Sequence, residues 1–302
     1  MAWRTIEAPV TWKETRVVND GVIASFGDVS VQGRRWEMED THIILPNFRG
    51  SEFFAGVYDG HYGRQVADYA AASLHRILRS NLNKGILPQP ALRQAFLETD
   101  SQIKKLEIPE GATTVTAYIK DRTLYVANAG DARAVLGRKN GVLRLSHDHK
   151  PDNPEERKRI ESLGGIVGRR DSWDVPRVNL KLAPSRSLGD HFFDEQFLGV
   201  DLITAEPYIT ETQLEEGDDV LILACDGVWD VLTDEEAVDI VRKTRKPKTK
   251  SKLELAGSME IWNFATVNAT KLTEEAAVKL KDEALEKGST DNITAIVIKL
   301  SV

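Results

Sequence analysis

Three stretches of this sequence set an aspartate at the edge of an apolar run: Val57-Tyr58-Asp59-Gly60-His61, Ala224-Cys225-Asp226-Gly227 and Asp291-Asn292-Ile293-Thr294. A carboxylate at a strand end can offer one oxygen to each of two cations, and a following glycine lets its backbone carbonyl approach as a further hard ligand. His61 adds a titratable group beside that charge. Glu39 and Asp40 supply two more acids, just after the Arg34-Arg35 pair. Carboxylates brought together repel unless they are protonated or bridged by cations. Oxygen ligands without a cluster of histidines or cysteines select Mg²⁺ or Mn²⁺ over Zn²⁺. Two such ions would offset most of the cluster, bind a phosphate dianion and lower the pKa of a water between them. One Asp-Gly pair alone is equally well explained as a turn. The repetition is what argues for chemistry.

The elements that must position these acids follow from the pattern around them. Phe53 to Tyr58 reads as a buried strand, and Val220 to Cys225 and Ile293 to Leu300 read likewise. Val22 to Val31 and Thr41 to Leu45 have strand character on either side of the charged QGRRWEMED segment. After His61, Gly63 to Asn83 has helical spacing, with Val66, Ala70, Leu74 and Leu78 on one face. Pro88 to Leu106 predicts a second helix, and His75 is assigned to helix packing or surface. Short Thr/Val/Tyr-rich strands between Val115 and Leu145, broken by tight turns, imply an antiparallel meander rather than βαβ units. A helix starts at Asp152 to Glu156 and stops at Gly164-Gly165, and His147 and His149 just before it are read as structural. Thr233-Asp234-Glu235-Glu236 caps a helix through Val241, and Lys271 to Lys287 is a final amphipathic one. Arg242 to Lys252 is basic and contains Pro247, which predicts an exposed loop. No linker or internal repeat divides the chain, so residues 1–302 are expected to form one domain.

With these segments in hand, the chain resembles the metal-dependent protein phosphatases of type 2C, which remove phosphate from serine and threonine. The resemblance runs through QGRRWEMED, FFAGVYDGHYG, GATTVTAYI, VANAGDARAVL, DHKPDNPEERKRI, PSRSLGD, LACDGVWDVL and GSTDNITAIVI, in that order. It implies an α+β fold: a four-layer α-β-β-α sandwich of two central antiparallel sheets flanked by helices, with metals at one end. It also implies roles. Asp59 bridges two Mg²⁺ or Mn²⁺ ions, the Gly60 carbonyl joins one, and Asp226 and Asp291 complete the pair. Glu39 and Asp40 hold waters on the metals, Arg35 grips the phosphate, and His61 protonates the leaving oxygen. Asp131, with Asp226, matches the position of a weak third metal. Tyr62, Leu180 and Pro184 depart from the commoner residues at their positions. Arg169 to Val175 and Arg242 to Lys252 look like insertions.

Composition bounds the rest. The 302 residues carry 40 basic and 47 acidic side chains, a net charge of −7. That balance argues against nucleic acid or an anionic membrane as a partner, and the resemblance implies phosphorylated proteins as the substrates. The single cysteine, Cys225, excludes an internal disulfide and fits an intracellular setting, cytoplasmic or nuclear. No signal-like segment opens the chain, no run is long enough to span a bilayer, and a monomer is expected. A phosphatase built on Cys225 is rejected, because the acids that follow it would raise a thiol pKa. Two other readings stay open at this point: an inactive relative that scaffolds partners, and a two-metal phosphodiesterase or nuclease.

Overall fold

The computed structural model describes residues 21–195, 200–244 and 258–302, with side chains described for all of these except 194–195 and 258–270. In chain order it opens with strands β1 (Ile23–Val31), β2 (Thr41–Leu45) and β3 (Phe53–His61), then helices α1 (Gln65–Asn83) and α2 (Pro88–Lys105). Strands β4 (Gly111–Lys120), β5 (Thr123–Ala129), β6 (Arg133–Arg138) and β7 (Gly141–Arg144) follow as the expected meander. Helix α3 (Pro154–Ser162) leads to the short strands β8 (Val167–Gly168), β9 (Arg177–Val178) and β10 (Leu188–Gly189), and then to α4 (His191–Glu195). The chain closes with β11 (Tyr208–Gln213), β12 (Val220–Ala224), α5 (Asp226–Trp229), α6 (Asp234–Thr244), α7 (Ser258–Glu286) and β13 (Ile293–Leu300).

Two antiparallel sheets result. One has the order β1-β13-β12-β6-β7, the other β11-β5-β4-β3-β2 with β10 paired to the start of β4. Every strand pair in them is antiparallel. Phe53, Ala55 and Val57 of β3 enter one core with Leu136, Leu221, Leu223, Ile296 and Ile298 of the other sheet. Phe54 and Tyr58 point the opposite way and pack under α1 and α2, among Ala70, Leu74, Leu92 and Phe96. The outer face of the first sheet, with Ile222, Ala224, Ala295 and Val297, is covered by α6 and α7. The layers are therefore α-β-β-α, as the resemblance implies.

Strand alternation is what aims the acids. Side chains two apart share a face, so Asp59 continues the series Phe53, Ala55, Val57 onto the surface between the sheets, where the apolar core ends. Leu221 and Leu223 of β12 face the same core, followed by Cys225, and Asp226 comes next, as the first residue of α5. Asp291 sits two residues before β13.

Two expectations need correction. The final helix begins at Ser258, well before Lys271. Arg242 is not in a loop: it lies in the last turn of α6, where its guanidinium meets Asp219 at 3.0 Å and donates to the Arg138 carbonyl at 2.7 Å. A helix extends as long as its buried face finds a partner, and Val241 keeps α6 anchored to that point. Residues 245–252 of the basic stretch and the opening segment of the chain lie outside the described residues. The capping box of α6 forms as read, the Glu236 N–H donating to Thr233 Oγ1 at 3.2 Å and the Thr233 N–H to Glu236 at 2.9 Å. His75 packs in α1, its ring 2.9 Å from the Ala71 carbonyl.

Tyr58 is fully buried and its hydroxyl has no hydrogen-bond partner among the described residues. An unpaired buried hydroxyl carries a desolvation cost, so Tyr58→Phe is expected to leave thermal stability unchanged or raised. Leu74→Ala, which empties part of the same layer, is expected to cost about 2–5 kcal/mol. Denaturant melts of both variants check the pair, and a Tyr58→Phe loss comparable to that of Leu74→Ala would contradict the packing described.

Candidate active site

The structure brings the sequence-singled acids to one end of the sandwich. Asp59, Asp226, Asp131, Asp291 and Asp40 lie close enough for their charges to act on one another. Asp59 is held well above the usual carboxylate range, first by burial and then by the charges of Asp40, Asp226, Asp131 and Asp291. Asp226 is raised in the same way, with Lys150 as an opposing cation. Asp40 is pushed up to about 6, chiefly by burial. It is 1% exposed; the Thr294 hydroxyl and the Cys225 thiol lie near enough to favour its charged form, but neither carboxylate oxygen receives a hydrogen bond of good geometry from the described residues. One oxygen of Asp40, one of Asp59 and the Cys225 sulfur lie within 4.8 Å of one another.

A buried carboxylate without well-placed donors is costly unless a cation or ordered waters satisfy it. Hard divalent ions with their waters fit this donor set: carboxylate oxygens, a glycine carbonyl and no histidine cluster. Gly60 belongs to that geometry. A Cβ there would lie 2.6 Å from the Glu39 carbonyl oxygen and 2.8 Å from that of Gly63, so only glycine lets three backbone segments meet at the site.

The charged segment Arg34 to Asp40 is fastened by a residue that the sequence reading passed over. Asn292 is 4% exposed, and its amide donates to the Gln32 carbonyl at 2.8 Å and the Glu37 carbonyl at 2.9 Å. Its oxygen accepts from the Glu39 N–H at 2.8 Å. One neutral side chain thus pins the loop bearing Arg35, Glu39 and Asp40 to the strand edge bearing Asp291. Arg35 itself stands at the mouth, with one guanidinium nitrogen 2.6 Å from Asp291 Oδ2. Burial opposes its charge, and Asp291, Asp226 and Asp59 outweigh that, so its pKa is raised. Its side chain remains 52% exposed, leaving donors for an incoming anion.

His61 ends β3 beside Asp190. Its Nε2 is 2.8 Å from Asp190 Oδ2 and 3.0 Å from Oδ1. Burial disfavours the imidazolium, but the adjacent Asp190 charge and hydrogen bond prevail, and the His61 pKa is raised. Asp190 is 2% exposed and also accepts from the Ser187 hydroxyl. Gly111 lines this pair: a Cβ there would fall 2.2 Å from Asp190 Oδ2 and 2.3 Å from His61 Nε2. Glu156 anchors the PSRSLGD segment that delivers Asp190, accepting from the Ser185 hydroxyl at 2.8 Å and from Arg186 at 2.5 and 3.0 Å. Those bonds hold the Glu156 carboxyl down at about 2 despite its burial. In the sequence this framework shows only as part of the PSRSLGD and DHKPDNPEERKRI motifs, with nothing to say that Glu156 would hold Ser185 and Arg186.

Asp131 is 5% exposed and faces the cluster, but Lys150 Nζ already contacts its Oδ2 at 2.5 Å. His149 and His147 serve the fold. The Gly130 N–H donates to His149 Nδ1 at 3.2 Å, burial pushes the His149 pKa down to about 3, and His147 Nε2 sits 2.6 Å from the Asn153 amide. Tyr62 stands on the rim, 67% exposed, with φ of 61° and its ring edge-on to His61 at 5.7 Å between centroids.

Comparison with known proteins agrees with this architecture. The family model described as "Protein phosphatase 2C" matches residues 24–293. Protein phosphatase 2C homolog 1 of Schizosaccharomyces pombe is 38% identical over 285 residues, covering 89% of this chain and 71% of its own. Protein phosphatase 2C 56 of Arabidopsis thaliana is 37% identical over 305 residues, covering 91% and 68%. The crystal structure of serine-threonine phosphatase 2C from Toxoplasma gondii shares the fold with a TM-score of 0.68 and 22% identity, over 91% of this chain and 94% of that one. The fold and these relatives define the class, that of protein phosphatases. The chain belongs to the protein phosphatase 2C family.

Because Asn292 contacts only backbone, Asn292→Ala should loosen the loop without removing a charge. The Mn²⁺ concentration for half-maximal activity is expected to rise at least about tenfold, as for loss of a group that orients ligands. A metal-activation curve superposable on that of the parent would contradict the fastening role.

Proposed function

We propose that this chain hydrolyses phosphoserine and phosphothreonine monoesters on proteins, with two Mg²⁺ or Mn²⁺ ions held by Asp59, Asp226, Asp291 and the Gly60 carbonyl. Glu39 and Asp40 hold the waters around them. The observation that carries this reading is the convergence of acids from two sheets on one buried cluster, in which the Asp40 oxygens receive no well-formed hydrogen bond from the described residues. When bound, such a cation pair supplies neutralisation of the phosphate and a water acidic enough to attack phosphorus.

The chain's own residues do the rest. Arg35, exposed at the mouth and already oriented by Asp291, binds the phosphate oxygens through its free guanidinium donors. As water adds to phosphorus and the ester P–O bond breaks, the serine or threonine oxygen leaves with the bonding pair. His61 gives that oxygen a proton. Asp190 supports this role, because its charge favours the protonated imidazole and holds the ring through Nε2. Among the described residues no helix is long and apolar enough to cross a membrane. The acidic net charge favours a protein substrate over a nucleic acid, and we read the molecule as a one-domain monomer of the cytoplasm or nucleus, a setting that the single, buried Cys225 suits.

Turnover of phosphothreonine and phosphoserine peptides by the chelated and the Mn²⁺-loaded protein tests the reading. Asp59→Asn is expected to fold and to lose essentially all activity, and full activity in the chelated protein or in this variant would contradict it. His61→Gln is expected to slow an alkyl phosphopeptide by about 10²–10⁴-fold and an activated aryl phosphate far less, since a good leaving group needs no proton. Equal losses on both would remove the proton-donor role.

A pH dependence follows from Asp40. Its pKa of about 6 lies above the usual range, so its charge burdens the ion-free fold at higher pH, and the burden lifts as pH falls through 6. Bound cations relieve the same burden. The increase in Tm on adding Mn²⁺ is therefore expected to be larger at about pH 8 than at about pH 5. An increase independent of pH would show that the ions bind elsewhere.

A further inference from the structure

The residues on both sides of Asp190 are tied to one carboxylate on a neighbouring helix. Asp100, near the end of α2, accepts from the Gly189 N–H at 2.8 Å through Oδ1. The same oxygen lies 3.0 Å from His191 Nε2, which is also 3.3 Å from the Asp100 carbonyl. Both side chains are largely covered, 19% exposed for Asp100 and 14% for His191, so water competes little for these bonds. The Asp190 carboxylate takes no part in this clamp. It is engaged by His61 and by the Ser187 hydroxyl.

The clamp bears on a strained turn. Gly189 has φ of 83° and Asp190 φ of 60°, two successive residues in the left-handed region. Glycine enters that region freely, and a Cβ at Gly189 would fall 2.4 Å from the Glu110 carbonyl oxygen. Aspartate enters it at a cost and stays only where its surroundings hold it. The Asp190 N–H donates to the Glu110 carbonyl at 3.0 Å, and the Phe193 N–H to the Asp190 carbonyl at 2.9 Å. Those two bonds fix Asp190 itself, and Asp100 fixes its neighbours. Strand register shows why the turn matters. Gly111 pairs with His61 on one side and with Gly189 on the other. Having no side chain, it lets the Asp190 carboxylate cross to His61 Nε2.

We propose that Asp100 is a positioning residue for proton transfer: by holding Gly189 and His191 it keeps Asp190 in the left-handed turn that aims its carboxylate at His61. The proposal rests on the reading of His61 as the proton donor. Asp190 engages Nε2, so the proton comes from Nδ1 of the imidazolium. It goes to the serine or threonine oxygen, which leaves phosphorus with the bonding pair, and His61 is left neutral. Asp100 is not among the acids that meet at the end of the sandwich, so its loss should spare ion binding. An aspartate that merely docked α2 would favour no one step of the reaction.

The test measures kcat and KM on a phosphothreonine peptide and on an activated aryl phosphate, with the Mn²⁺-loaded full chain. The variants are Asp100→Leu, Asp100→Asn, His191→Phe, His61→Gln and the double variant His61→Gln/Asp100→Leu. Leucine keeps the shape of aspartate without an acceptor, and asparagine keeps an acceptor oxygen. Asp100→Leu is expected to lower kcat on the peptide about 10–100-fold, as for loss of a group that orients a reacting one, with KM unchanged. Its turnover of the aryl phosphate should stay near that of the parent, which also shows that it folds. Asp100→Asn should recover most of the peptide turnover. His191→Phe keeps a ring without the donor and should show the same selective loss, which keeps the test decisive if Asp100→Leu does not fold. The double variant should be no slower on the peptide than His61→Gln, because the second substitution has nothing left to act through. Losses alike on both substrates, losses that multiply in the double variant, or an Asp100→Asn as slow as Asp100→Leu would overturn the proposal and leave His61 as the donor. Parental peptide turnover in Asp100→Leu would overturn it too. If His61→Gln itself slows both substrates alike, the proton-donor reading falls and the proposal with it.

Discussion

Electrostatic repulsion among carboxylates is the constraint on which the rest of this structure depends. Asp59 comes from one sheet, Asp226 and Asp291 lie beside strand ends of the other, and Asp40, 1% exposed, lies close to Asp59. For Asp59, Asp226 and Asp40 burial, and then the neighbouring carboxylates, oppose the charged form, so their placement is not favoured on its own account. The driving force lies in the core behind them. Burying Val57, Leu223 and Ile296 between the sheets brings the strand ends together, and the acids follow. The apolar core thereby works against the charge cluster, and the divalent ions proposed for the site would reconcile the two.

Around the cluster the chain separates holding from reacting. The holding is done by neutral groups and by ion pairs set back from the mouth: the Asn292 amide across the Arg35–Asp40 segment, His149 against Gly130, and Glu156 with Arg186 and Ser185. The groups proposed to react, Arg35 and His61, are each oriented by one carboxylate, Asp291 and Asp190. Such a division keeps the oriented groups charged without spending their free donors on the fold. Mutations among the holding residues should then shift ion affinity and geometry more than the chemistry itself.

Much of this was legible in the sequence, for definite reasons. The three strand-edge aspartates stand out because alternation and apolar runs mark strand ends, and the helix capped by Thr233 and Glu236 carries a local signature. What stayed hidden depends on contacts between distant segments. Asp190 meets His61 from 129 positions away, and Asn292 reaches Glu39 from 253. A buried amide bonded to backbone and an aspartate on an imidazole leave no periodic trace. Lys150 was read only as part of a motif, because nothing in a sequence says that a lysine will turn inward to an acid 19 residues before it. Arg242 was misplaced for a related reason: basic composition predicted a loop, whereas the partner that keeps it helical, Asp219, lies on the other side of β12 in the chain.

The central claim is that the acids meet in order to hold two divalent ions bridged by Asp59. Anomalous diffraction from crystals of the Mn²⁺-loaded protein, collected on the manganese edge, tests it most directly. Two strong peaks are expected, both within bonding distance of Asp59, one also ligated by the Gly60 carbonyl and the others of the set, Asp226 and Asp291, completing the pair. A single peak, or peaks that leave Asp59 without metal, would contradict the account.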